Sequence, residues 1–282
     1  MAQELEIKLT LNEDAMDAAL AWLNGQPQAV PGPVKMLENT YYDTPEAGLN
    51  KQKAALRIRQ KGNVYIQTVK TQGRFIKGMH QREEWEWPLA GAGLDLELLR
   101  GTPLRNSVDL AALTPVFETN FTRRIVMIDD GDAVIECALD SGVVVAGRQE
   151  RQLNEVEFEL KSGNPQGLLV WAARLAEECA VFVNLISKAE QGYYLAGLYS
   201  PISGAKQPDV VTEFFRQLGV VWLTGTAVNL DDLDMVELGA IAQNKSAGNL
   251  FQRVIDQLRG GSTLEELMTS ATLGQVQLAL LR

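Results

Sequence analysis

Histidine is almost absent from this 282-residue chain, which holds only His80. One imidazole cannot furnish a His-rich metal site, and its isolation argues against a histidine triad. In the polar stretch Met79-His80-Gln81 it reads as a surface residue with no chemistry. Cysteine is nearly as scarce. Cys137 lies in a strand pattern and Cys179 in a helix pattern, without metal-ligand spacing, so both read as buried thiols. No apolar run approaches the length of a bilayer crossing and no signal peptide precedes Glu4, so a cytoplasmic protein is expected. Positive charge is in deficit, with 26 Lys and Arg against 36 Asp and Glu and a net charge of −10. That balance argues against nucleic acid or an anionic membrane bound on the outer surface. An anionic ligand must therefore meet basic residues gathered inside a cavity.

Apolar residues make up 46% of the chain, enough for a substantial core. The informative stretch is Glu4-Leu5-Glu6-Ile7-Lys8. Side chains of a strand alternate between two faces, so Glu4, Glu6 and Lys8 share one and Leu5, Ile7 and Leu9 the other. Two carboxylates and an ammonium in a row suit a divalent cation beside a polyanion. Taken alone, the pentapeptide also fits a solvated edge strand.

The pattern recurs along the chain. After a helix over Asn12 to Asn24 and a loop over Gly25 to Pro33, a strand runs from Met36 to Asp43. A hairpin turning at Lys61-Gly62-Asn63 puts Arg57 and Arg59 on one face and ends at Lys70. A loop over Thr71 to Met79 leads to a strand alternating Arg82, Glu84 and Glu86 against Glu83, Trp85 and Trp87. Residues 91–115 read as irregular or weakly helical. A second hairpin, over Val116 to Ile128 and Ala133 to Asp140, carries Arg123, then Glu136 and Asp140, with a short strand over Val143 to Ala146. Glu155, Glu157 and Glu159 share one strand face, although one end of that row is expected to leave the charged interior. A long helix from Asn164-Pro165 to about Ala180 follows, then a helical turn opening at Ser187-Lys188. Tyr41 and Tyr42 read as packing residues.

The linker is placed at Ser200 to Pro208, dividing a domain over 1–200 from a helical region over 201–282. Helices are expected there at Val211–Leu218, Leu230–Gln243, Asn249–Leu258 and Thr263–Leu281, for contacts with the first domain or a partner. A 1–200 fragment is expected to keep the site.

Hairpin-linked strands with one apolar and one charged face predict an α+β protein. Its antiparallel sheet closes into a barrel, charged faces inward, with helices over the apolar exterior. Inside, Arg and Lys would grip phosphate oxygens while carboxylates hold hard cations. Interior charges of opposite sign would also neutralise one another.

Glu4-Leu5-Glu6-Ile7-Lys8 resembles the ExExK signature of the CYTH superfamily, the triphosphate tunnel metalloenzymes. The resemblance continues through Arg57-Ile58-Arg59, Lys70, Arg82 with Glu84, Arg123, Glu136 with Asp140, Glu157-Phe158-Glu159 and Ser187-Lys188, over about residues 1–200. Tyr41-Tyr42-Asp43-Thr44-Pro45 and His80-Gln81-Arg82 look most like bacterial inorganic triphosphatases. The resemblance implies hydrolysis of inorganic triphosphate to pyrophosphate and phosphate with Mg2+ or Mn2+. It implies metal binding by Glu4, Glu6, Glu136, Asp140, Glu157 and Glu159, and phosphate binding by Lys8, Arg57, Arg59, Lys70, Arg82, Arg123 and Lys188. Glu4, Glu6, Lys8, Arg57, Arg59 and Lys188 are the implied catalytic set. Thiamine triphosphatase, class IV adenylate cyclase and a non-catalytic polyphosphate-binding module remain alternatives. Many such triphosphatases continue into a histidine-rich CHAD domain. Nothing after residue 200 here contains His, so that domain's role is not carried over.

Overall fold

The computed structural model describes residues 2–71, 73–76, 79–106, 108–201 and 209–282. The expected linker falls outside the described residues from 202 to 208, as do three positions of the expected 71–79 loop. The strands are β1 (Ala2–Thr10), β2 (Ala29–Asp43), β3 (Ala55–Lys61), β4 (Val64–Lys70), β5 (Arg74–Ile76), β6 (Met79–Leu89), β7 (Thr114–Asp129), β8 (Ala133–Ala146), β9 (Gln149–Gly163) and β10 (Phe182–Val183). Eight of them close an antiparallel ring in the order β1-β9-β8-β7-β2-β3-β4-β6, with β6 pairing back onto β1. Two short strands extend it, β5 beside β6 and β10 beside β1.

Alternation dictates which faces meet. On β1, Ile7 and Leu9 are fully buried outside the ring, against Trp171 and Leu175 of a covering helix. Each such aliphatic side chain contributes roughly 1.5–3 kcal/mol on burial. The helices are α1 (Glu13–Asn24), α2 (Gly48–Lys51), α3 (Gln166–Glu178), α4 (Lys188–Leu195), α5 (Val210–Thr224), α6 (Met235–Asn244), α7 (Gly248–Arg259), α8 (Leu264–Leu267) and α9 (Thr272–Leu281). One apolar core runs from the outer faces of β1, β8 and β9 through α1 and α3 into the C-terminal helices. None of the described helices is long and apolar enough to cross a membrane.

Inside the ring, one end is filled by Leu37, Phe121, Val144 and Leu153. Helix α4 closes over it. Gly192 makes this approach possible, because a β carbon there would lie 2.0 Å from Phe117 Cδ2. Ser187 and Glu190 form a reciprocal cap at the start of α4, which fixes where Lys188 begins.

Several expected boundaries are corrected. Strand β2 starts at Ala29, inside the expected loop, and kinks between Pro31 and Val34. This half pairs only with β7, so prolines lacking an N–H are tolerated on the free side. Strand β8 is continuous to Ala146, where two strands were expected. Helix α5 runs past its expected end at Leu218, through Gly219, to a left-handed Gly225. The last expected helix splits into α8 and α9 at a turn where Thr269 and Ser270 hydroxyls donate to the carbonyls of Glu266 and Leu267.

Candidate active site

The ring encloses a cavity of about 1190 Å³. Its walls differ in sign. Strands β2 and β3 present Lys35, Arg57, Arg59 and Lys61, while β1, β8 and β9 present Glu4, Glu6, Glu136, Glu157 and Glu159. Register sets the acidic row. Glu6 is paired with Glu159 across β1–β9, and Glu159 with Glu136 across β8–β9.

Two charge networks span the interior. Towards the open side, Lys70 Nζ lies 3.0 Å from Glu4 and 3.2 Å from Glu84. Arg82 donates from Nε to Glu4 at 2.9 Å and from Nη2 to Glu6 at 2.7 Å. The deeper network centres on Arg123 and Lys188. Arg123 donates to both Asp140 oxygens, at 2.7 and 2.6 Å, and to Glu157 at 2.8 Å. Lys188 donates to Glu155 at 2.7 Å and Glu157 at 2.8 Å, and lies 3.0 Å from Asp140. The Phe121 ring lies beneath both cations, at 5.4 and 5.8 Å. Lys8 sits 3.4 Å from Glu155 and donates to the Ile186 carbonyl.

In the basic wall, Arg59 is held without a carboxylate. Arg59 donates from Nε to Asn39 Oδ1 at 2.8 Å, and Asn39 is anchored by Nδ2 on the Thr119 carbonyl at 2.7 Å. Arg57 donates to the Tyr41 hydroxyl at 3.3 Å, with Glu84 no nearer than 3.8 Å. Burial, then Arg57 and Arg123, pull the Arg59 guanidinium down to about 9. This is a site short of anions.

The carboxylates divide in two. Burial opposes the charge on Glu4 and Glu157, yet Lys70 and Arg82 hold the first, and Lys188 and Arg123 the second, below the usual range. Burial pushes Glu6 up to about 7; Arg82 resists the shift, while Glu157 and Glu4 reinforce it. Glu159 is raised by burial as well, against Lys161. Glu6 and Glu159 thus hold a proton more readily than a free carboxyl even with Arg82 and Lys161 at 2.7 and 2.8 Å.

All but one of the predicted site residues line the cavity; Asp140 does not. Fully buried, it has both oxygens engaged by Arg123 and lies 3.0 Å from Lys188. The row on β9 still lines the cavity at Glu159, which bonds Lys161 at 2.8 Å, whereas Glu155 is 1% exposed and deep. His80 is also corrected. It lines the cavity, stacked on Phe75 at 4.4 Å, and burial with Arg82 and Lys8 pulls it down to about 3. It reads as an uncharged wall. Tyr41 packs on Phe117 at 4.5 Å, as read, and also holds Arg57. Lys35, Lys61 and Lys161 went unnoticed, although their even spacing from Leu37, Arg59 and Glu159 was visible in the sequence.

The CYTH domain family matches residues 2–193, the entire barrel and most of α4. The chain belongs to the CYTH domain family. An inorganic triphosphatase from Haemophilus influenzae is 35% identical over 196 residues, 69% of this chain and 55% of that protein. The chain therefore spans about half the length of the curated relative it matches. Among solved structures, the Hippeastrum protein HpAC1, described as an adenylyl cyclase candidate with a dominant triphosphatase activity, superposes with a TM-score of 0.50 at 18% identity. The match covers 72% of this chain and 100% of that one, and shows that the CYTH barrel is shared.

Proposed function

We propose that the CYTH tunnel binds inorganic triphosphate and, with Mg2+ or Mn2+, hydrolyses it to pyrophosphate and phosphate. The observation carrying this reading is a single cavity in which a basic wall on β2 and β3 can take anionic charge and a carboxylate row on β1, β8 and β9 can take cationic charge. A linear polyanion with hard cations along one side supplies both. The activity named for the Haemophilus influenzae relative supports the same substrate.

No three described Asp, Glu, His or Cys residues converge closely enough to hold a metal as they stand. The donors nevertheless fit one chemically. Glu6, Glu159 and Glu136 form a row of hard oxygens on adjacent strands, a donor set that suits a divalent ion. Glu4 and Glu157 would join the set as their basic partners turn to phosphate. Asp140 would position Arg123 and Lys188 instead. Bound there, the cation supplies charge neutralisation to the phosphate oxygens.

The chain's own groups do the rest. Arg57, Arg59, Lys70 and Arg82 bind phosphoryl oxygens, and the fixed guanidinium forks hold the ligand in line. Water's oxygen bonds to the terminal phosphorus as the bridging P–O bond breaks. Pyrophosphate then leaves with that electron pair, and Lys8, Arg123 and Lys188 meet its developing charge. Glu157 and Glu159 orient the water. The test is a panel of inorganic triphosphate, thiamine triphosphate and ATP, assayed for phosphate, pyrophosphate and cyclic AMP. We expect the highest kcat/KM with inorganic triphosphate; a preference for either organic substrate, or no product at all, overturns the reading.

A further inference from the structure

We propose that the C-terminal helices are a working part of the tunnel, in which α5 and α9 set the segment from Val183 to Lys188 and, through it, the ammonium groups of Lys8 and Lys188. The catalytic consequence rests on the triphosphatase reading; the geometry does not.

This segment connects β10 to α4 and holds two of the deep cations. Asn184 N–H donates to the Lys8 carbonyl at 3.3 Å. The Asn184 side chain donates to Thr10 Oγ1 at 3.1 Å and accepts from Ile186 N–H at 2.9 Å. That turn aims the Ile186 carbonyl at Lys8 Nζ. Ser187 then caps α4, and Lys188 is its first residue.

The tail secures the segment at two points. Gln277 of α9 is fully buried; its Oε1 accepts from Val183 N–H at 2.8 Å and its Nε2 donates to the Val183 carbonyl at 2.9 Å. One side-chain amide thereby satisfies both backbone groups, as a neighbouring strand would. Gly219 of α5 rests on the next two turns of chain. A β carbon there would lie 3.1 Å from Ile186 Cγ1 and 3.3 Å from Asn184 Oδ1. Glycine disfavours a helix interior, so its place inside α5 fits a requirement for close approach. The face of α5 bearing Thr212, Arg216 and Val220 lines the cavity itself. Both clamps lie beyond the matched family span, and a 1–200 fragment lacks them. On this inference a 1–200 fragment would lose contacts that position the site, contrary to the expectation from sequence.

The test uses the full chain with Gly219→Val, Gln277→Ala and, as control, Gly239→Ala, where a β carbon on α6 meets open space. Calorimetry measures metal-free binding of inorganic triphosphate, alongside phosphate release with Mg2+ and the thermal midpoint. Displaced positioning groups should weaken binding about tenfold or more and lower kcat in both clamp variants, with the control unchanged. If Gly219→Val does not fold, Gly219→Ala replaces it. Its helix gain should hold or raise the midpoint while binding falls, a combination that a purely structural role does not give. Parent-level binding and turnover in folded clamp variants overturn the inference. A parent that binds triphosphate without releasing phosphate leaves the binding arm decisive and counts against the triphosphatase reading instead.

Discussion

Arg123 and Asp140 form a two-point ion pair in the depth of the barrel, with parallel hydrogen bonds of 2.7 and 2.6 Å. Asp140 is fully buried, so its charge is stable only while its cations are in place. Asp140→Asn should lower unfolding free energy by about 3–5 kcal/mol, the usual cost of breaking such a pair. The Mg2+ concentration for half-activation should not move. Urea unfolding and a metal titration check the two halves. A variant as stable as the parent but needing more metal would restore Asp140 to the ligand role expected from sequence.

Arg59 predicts the opposite balance. It is buried against Asn39, and its lowered pKa records a charge the fold disfavours. Since the unfolded chain binds this proton more tightly, the group weakens folding, an effect that is complete below a pH of about 9. Arg59→Ala should therefore spare the thermal midpoint yet cost about 2–4 kcal/mol in kcat/KM, as loss of one preorganised donor does. Arg57→Ala should show a similar kinetic loss. Near-parent turnover in both variants would mean that the basic wall does not face the substrate.

Glu6 gives a pH dependence with a defined sign. Its carboxyl is raised from 4.5 to about 7, so the folded state binds the proton more tightly than the unfolded one. That contribution to stability is complete below about 4.5 and is lost as pH rises through about 7. Metal requires the ionised carboxylate, so half-activation should need less Mg2+ as pH rises, by up to about tenfold per unit below 7 and little above it. Glu6→Gln should flatten this dependence. A pH-independent metal requirement in the parent would show that Glu6 is not in the cation's path.

The barrel was legible because strand alternation is rigid: once Glu4, Arg57, Arg123 and Glu157 are assigned to inner faces, closure is the arrangement that brings them together. That Asp140 and Glu155 lie deep, against Arg123 and Lys188, was not legible, because phase along a strand gives the face and not the depth. His80 misled because its neighbours are polar; its burial comes from Phe75, across a strand pairing. The role of the tail was invisible locally. Gln277 and Gly219 gain their meaning only against Val183 and Ile186, far away in sequence.

The most direct measurement is metal-free triphosphate binding beside metal-supported phosphate release, in the parent, Glu4→Gln and Glu6→Gln. Glutamine keeps the shape but removes the charge that a hard cation requires. It also frees Lys70 and Arg82, now spent on Glu4 and Glu6, for phosphate. Turnover should collapse in either folded variant and recover only partly at high Mg2+ or Mn2+, while metal-free binding holds or tightens. Parent-level hydrolysis with the parent's metal requirement in both variants would contradict the two-walled tunnel as a metal-dependent triphosphatase site.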